Sequence, residues 1–190
     1  YTPLARTFPA WVSILTAKYP EHHHARANLT DPSPIIANDM LSKRLKVAGY
    51  TTIYATDEAR FSDINTQYGF DQVIRPSRGV VDFILGGLSD FPLTNLLVNM
   101  PFGRWLFPYN HANRAAYITY QPDLFLQEVV KGLAARPKDK PLFLAIHLCL
   151  AHWPFTWAND HASPSFPPLQ YQASVEEVDN DVSRLESISE

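Results

Sequence analysis

Apolar positions along the chain alternate between two periods, and the alternation outlines its elements. An extended, proline-punctuated start gives way to Phe8, Pro9, Trp11, Val12, Ile14 and Leu15 at helical spacing, which predicts a helix with Thr7 as N-cap and Pro9 in its first turn. Asn38 is expected to cap a second helix, with Met40, Leu41, Leu45 and Val47 on its apolar side and Gly49 at its end. Thr51 to Thr56 is a short β-branched run and reads as a strand. Pro122 opens a helix carrying Leu124, Phe125, Val129, Val130 and Leu133, which stops near Pro137. Leu142 to Leu150 is continuously apolar, the pattern of a strand covered on both faces. Tyr171 to Ser189 is helical, with Val175, Val178, Val182, Leu185 and Ile188 on one side. Helices alternating with apolar strands predict an α/β fold with a largely parallel sheet.

Residues 79–110 break this regularity. The stretch is strongly apolar, but Gly86, Gly87, Pro92, Pro101 and Pro108 divide it into short helices that cannot span a bilayer. It reads as an insertion that caps the core or forms an oligomer contact; the sharper alternative is a lid meeting a membrane surface or a lipid-linked substrate.

Composition narrows the class. With 190 residues, 46% hydrophobic and 18% charged, the chain can bury a sizeable core, and its net charge of -3 argues against a nucleic-acid partner. A single cysteine excludes an intrachain disulfide. Cys149 reads as a small buried strand residue and His147 as a core histidine. The run His22-His23-His24 reads as a solvated loop, because sequence neighbours point in different directions. Asn28-Leu29-Thr30 matches the short glycosylation pattern.

The chemistry begins at Thr7. Free amides at a helix start, with the positive end of the dipole, can receive a phosphate or sulfate beside the Thr7 hydroxyl. A second set follows the Thr51–Thr56 strand, where Asp57, Glu58 and Arg60 occupy a carboxyl end, the place from which parallel sheets present ligand groups. Arg60 could grip a phosphate oxygen; alternatively Asp57 caps the next helix and Arg60 lies on its surface.

Counting from Thr7 as zero, Pro9 stands at plus two, Leu15-Thr16 at plus eight and nine, and Lys18-Tyr19-Pro20 closes the segment. This resembles the signature of the sulfatase family of the alkaline phosphatase superfamily, Cys/Ser-x-Pro-x-Arg followed by Leu-Thr-Gly-Lys/Arg-Tyr. Further on, Leu45 to Thr52 resembles the family's LKxAGYxT unit, Tyr68-Gly69-Phe70-Asp71 its GFD step, the strand leading to Ala151-His152-Trp153-Pro154 its PHxP, and Val178 to Leu185 its VDxxVGRL helix.

The resemblance implies a three-layer αβα sandwich and a divalent metal ion, zinc, manganese or calcium. It places Thr7 as nucleophile and metal ligand and His152 on the substrate; where the family usually carries Gly-Lys-Trp-His this chain has Thr56-Asp57-Glu58-Ala59-Arg60, and Arg60 could replace the lost cation. Two departures bear on the reaction. Thr7 carries a methyl where formylglycine formation requires an oxidisable CH₂, and the signature Arg is Trp11. Both point to the Thr-nucleophile branch, which includes nucleotide pyrophosphatases/phosphodiesterases, phosphoethanolamine transferases and lipoteichoic acid synthases. The expectation is a phosphoester hydrolase or transferase; a sulfatase with unusual machinery and a noncatalytic anion binder are the alternatives. Because the family's other metal ligands flank these motifs, residues 1–190 are expected to be an inactive fragment of one catalytic domain. The resemblance further implies an extracytoplasmic or periplasmic location.

Overall fold

The central element is β1 (Thr51–Thr56), which lies between β2 (Gln72–Ile74) and β3 (Leu142–His147) in an open, all-parallel sheet of order β2-β1-β3. The computed structural model describes residues 4–28, 30–36, 39–58, 62–76, 93, 96–97, 100–102, 105, 120–152 and 167–189. Ile53, Tyr54 and Ala55 pair with Gln72, Val73 and Ile74, and on the other edge the Thr51 amide donates to Pro141 O at 2.8 Å. All six β1 residues are buried, so the strand is covered on both faces as well as paired on both edges. The expected α/β class and this strand's bounds agree with the sequence pattern.

The α-helices with described bounds are α1 (Thr7–Thr16), α2 (Pro20–His23), α3 (Ser33–Ile36), α4 (Leu41–Val47), α5 (Pro122–Ala134) and α6 (Pro167–Ser189), and a 3-10 turn spans Thr66–Tyr68. The chain forms two compact units, one of residues 1–75 and 136–146, the other of 76–135 and 147–190.

In the first unit, Phe8, Val12 and Leu15 of α1 join Ile35, Met40, Tyr54, Ile64, Tyr68, Phe70 and Ala145 in one core. α4 leads into β1 through a Schellman motif: Gly49 at φ +90° lets its amide reach Lys46 O at 3.1 Å while the Tyr50 amide reaches Leu45 O at 3.0 Å. The expected apolar side of α4 is only partly right. Met40 is buried, but Leu41 and Val47 are exposed and Ser42 turns inward, donating to Tyr68 O. Asn38, the expected cap, lies outside the described residues.

The Tyr68-Gly69-Phe70-Asp71 step is the structural turn expected. Gly69 sits at φ +94°, and a Cβ there would meet the Lys43 backbone nitrogen at 2.7 Å, so the position admits only glycine. Asp71 accepts from the Thr52 amide at 3.0 Å and pairs with Lys46 at 2.7 Å. Burial pushes its carboxyl up, but these donors outweigh that and hold it below its ordinary value.

β3 departs from expectation. It ends at His147 rather than Leu150, and only Ala145 is buried, because within the described sheet β3 is an edge strand with one neighbour.

In the second unit α5 keeps its expected start and buries Phe125, Leu126, Val129, Gly132 and Leu133. It packs on α6, whose expected face is right in part: Leu185 is buried and Val178 and Val182 are half-buried, but Val175 is exposed and Ser174 and Asp181 are buried in addition. Within 79–110, where a buried cap was expected, the described large apolar side chains are exposed instead. The rest of that segment lies outside the described residues.

Candidate active site

The first turn of α1 is built differently from the sequence expectation. Thr7 is not the N-cap. Arg6 takes that place, extended at φ -144° and ψ 138°, and its carbonyl accepts the first helical bond from Ala10 at 3.0 Å, which makes Thr7 the first helical residue. Most of the early donors are spent. The Arg6 amide donates to Leu4 O at 2.8 Å, the Phe8 amide donates to Asn28 Oδ1 at 3.2 Å, and Pro9 has no N–H. The amide and hydroxyl of half-buried Thr7 have no hydrogen-bond partner among the described residues. An anion at this end would therefore meet one amide and one alcohol on the same residue, within the positive field of the helix.

Asn28 is a residue that sequence reasoning missed. Its side chain performs the capping that no local residue performs, twenty positions away in sequence. Thr30 fixes the loop around it, accepting from the Ala27 amide at 3.0 Å and donating to Ala27 O at 2.9 Å. The only signal was the Asn-x-Thr pattern, which pointed to glycosylation.

The histidine run is not a solvated loop throughout. His23 is fully buried at the end of α2; its Nδ1 accepts from the Ala25 amide at 3.1 Å, so Nε2 carries the proton and donates to Ser13 Oγ of α1 at 2.8 Å. Burial, and then the neighbouring cationic groups, lower its pKa despite an opposing backbone contribution. His23 thus stays neutral and fastens α2 to α1.

Trp11 lies edge-on to Tyr54, with ring centroids 5.2 Å apart and planes at 88°. The position of the signature arginine is therefore occupied by an aromatic ring packed on the sheet, not by a cation facing an anion. Tyr68 stands edge-on to Phe8 at 6.1 Å; burial, with Asp63 beside it, raises its phenol well above the ordinary range, so it remains protonated at neutral pH. Asp57 and Glu58 are both buried at the carboxyl end of β1, where the Thr56 hydroxyl donates to Glu58 O at 3.0 Å. Arg60 lies outside the described residues.

Comparison with known protein families decides the relationship: the family model described as Sulfatase matches residues 1–186. The chain belongs to the sulfatase family. A search of curated proteins finds no match. As a member of this family it is a sulfatase-like hydrolase of the alkaline phosphatase superfamily.

Sulfatase family members generally use divalent metal ions. Among the described residues no group of three or more His, Cys, Asp or Glu could hold one, so the described part of this sulfatase-family chain is not by itself a metal centre. Thr7 offers a single hard oxygen donor.

In the second unit, the turn after β3 holds the remaining expected residues. Cys149 is neither buried nor in a strand; it is half-exposed, with Sγ 3.5 Å from His147 Nε2. His147 is likewise half-exposed rather than a core residue. His152 is exposed, and its amide donates to Cys149 O at 3.0 Å.

Proposed function

We propose that Thr7 is the nucleophile of a metal-assisted phosphoester hydrolase or phosphotransferase. The observation that carries this reading is the unpartnered amide and hydroxyl of Thr7 at the start of α1. Attack of Thr7 Oγ1 on phosphorus forms an O–P bond and releases the leaving alcohol; the hydroxyl proton is lost as the bond forms, and the departing oxygen takes one up. Water or an acceptor alcohol then displaces Oγ1 from the phosphothreonine, returning Thr7 to its starting state. The Thr7 amide and the helix dipole favour the charge that develops on the phosphoryl oxygens.

Sulfate-ester chemistry by the formylglycine route is disfavoured by two features. Oxidation at Thr7 Cβ would give a ketone rather than an aldehyde, and the Trp11 ring is packed against Tyr54 where the supporting arginine would stand. His152 is assigned to substrate oxygens on its motif position and Arg60 on its place after the Thr51–Thr56 run, and a divalent ion is assigned Thr7 as one ligand with the others outside the described residues. Substrates outside the cytoplasm suit this reading.

The test uses the full-length protein with zinc, manganese or calcium on bis-aryl phosphate and aryl sulfate esters, beside Thr7→Ala. Phosphodiester cleavage that Thr7→Ala abolishes, with a phosphoryl group trapped on Thr7 in the parent protein, is the expected result. Aryl sulfate cleavage that survives Thr7→Ala would refute the nucleophile.

A further inference from the structure

From Phe91 to Pro122 the sequence contains no Asp or Glu, although acidic residues outnumber Lys and Arg over the whole chain, 19 to 16. The same stretch carries Arg104 and Arg114. Between Leu93 and Trp105 the described large apolar side chains face solvent: Leu93 is 70% exposed and Trp105 83%, and Leu96, Leu97, Met100 and Phe102 are exposed as well, whereas Tyr120, further on, is buried. Leu93, Leu96, Leu97 and Met100 recur at i, i+3, i+4 and i+7, the spacing of a single helix face, and the three leucines are helical. Such a face is ordinarily turned to the core. Here it is turned outward.

We propose that the segment from Leu93 to Trp105 seats its apolar face in the headgroup region of an anionic lipid bilayer. Pro92, Pro101 and Pro108 keep the apolar run short of transmembrane length, so the segment is assigned to the interface. Charge selects this occupant over others. A sequence rich in leucine, with Trp and Phe, with Arg104 and Arg114 and without Asp or Glu, matches negatively charged headgroups, and no carboxylate in the stretch opposes them. Trp105 and Phe102 suit the interfacial depth, where aromatic rings are favoured. The inference is independent of the chemistry proposed for Thr7.

The experiment is sedimentation of the full-length protein with phosphatidylcholine vesicles containing increasing phosphatidylglycerol. Binding should rise with phosphatidylglycerol and fall with salt, and the double change Leu96→Ser, Trp105→Ser should weaken partitioning about tenfold or more. Vesicles of brominated lipid supply a second readout: they should quench tryptophan emission in the unaltered protein, and Trp105→Phe should remove most of that quenching. Absence of vesicle binding would overturn the proposal, as would quenching undiminished in Trp105→Phe. So would a stable dimer that the double variant converts to monomer, because a second copy would then cover the face.

Discussion

His23 and Asp181 are both buried ionisable groups at helix–helix contacts, one in each compact unit, and the chain treats them differently. His23, between α2 and α1, has both ring nitrogens occupied, one by the Ala25 amide and one by Ser13. Asp181, on α6 against α5, is 1% exposed and leaves Oδ2 without a hydrogen bond. Arg184, which pairs with it among the described residues, is 3.6 Å away and spends a shorter contact of 2.7 Å on Asp123. Burial first, with Glu177 and Asp123 adding repulsion against the weaker pull of Arg184, pushes its pKa up to about 6. The comparison shows that low exposure alone does not identify a finished polar contact. Partner count separates a neutral pin such as His23 from a carboxylate that costs stability.

The contrast can be broken most severely in the first unit. Gly69→Ala places a Cβ against the Lys43 backbone and forces a side chain into positive φ, so a loss of about 3 kcal/mol is expected in urea unfolding. A drop below about 1 kcal/mol would show that the turn yields.

The second unit should respond in the opposite direction. Asp181→Asn removes a carboxylate whose folded pKa lies above its ordinary value, and the penalty it removes is full above pH 6. The variant should gain roughly 2 kcal/mol at pH 8, with the gain shrinking as pH falls from 6 towards 4 and the native carboxyl takes up its proton. An unchanged difference across that range would mean that Asp181 does not titrate as described.

His23 carries the reverse pH signature. Its folded pKa lies below its ordinary value of 6.5, so the unfolded chain binds the proton first and stability falls as pH drops below about 6.5. His23→Gln cannot meet both Ser13 and Ala25 and should cost about 1–2 kcal/mol at pH 8 while flattening the decline towards pH 5. Parallel pH curves for the two proteins would contradict this.

The smallest change expected is a gain. Ala17 ends α1 at φ 53° and ψ 30°, a left-handed conformation that suits glycine. Ala17→Gly should therefore stabilise by up to about 1 kcal/mol, seen as a higher midpoint in the same titration.

These same residues show what could be read from the sequence. β1 and α5 were legible because one signal dominated each: a β-branched run for the first, and a proline followed by a helical apolar period for the second. The left-handed end of α1 explains why glycine is usual in the family signature at the place taken by Ala17. The first turn was misread by one residue because nothing local encodes the extended Arg6, and the amide acceptor comes from Asn28 in a distant loop. His23 was not separable from His22 and His24, since only the packing of α2 on α1 distinguishes them. The inward face of α6 is legible only in part: Leu185 is buried as its spacing suggests, but a valine pattern outvotes an aspartate in any hydrophobic reading, and Asp181 lies inside while Val175 does not. Thr7 is the first helical residue rather than the cap that its place before the apolar run suggests.

The burial of β1 on every side also orders events in time. Its pairing with β2 closes over a short, turn-rich loop, so α4, β1 and β2 can assemble while the chain is still being made. The opposite edge has to wait, because its partner is not synthesised until everything between Thr56 and Leu142 has emerged. Throughout that interval a β-branched strand shows an unpaired edge, a template for pairing with another nascent copy. Rapid recruitment of β3 by that edge is therefore a condition for productive synthesis of the first unit.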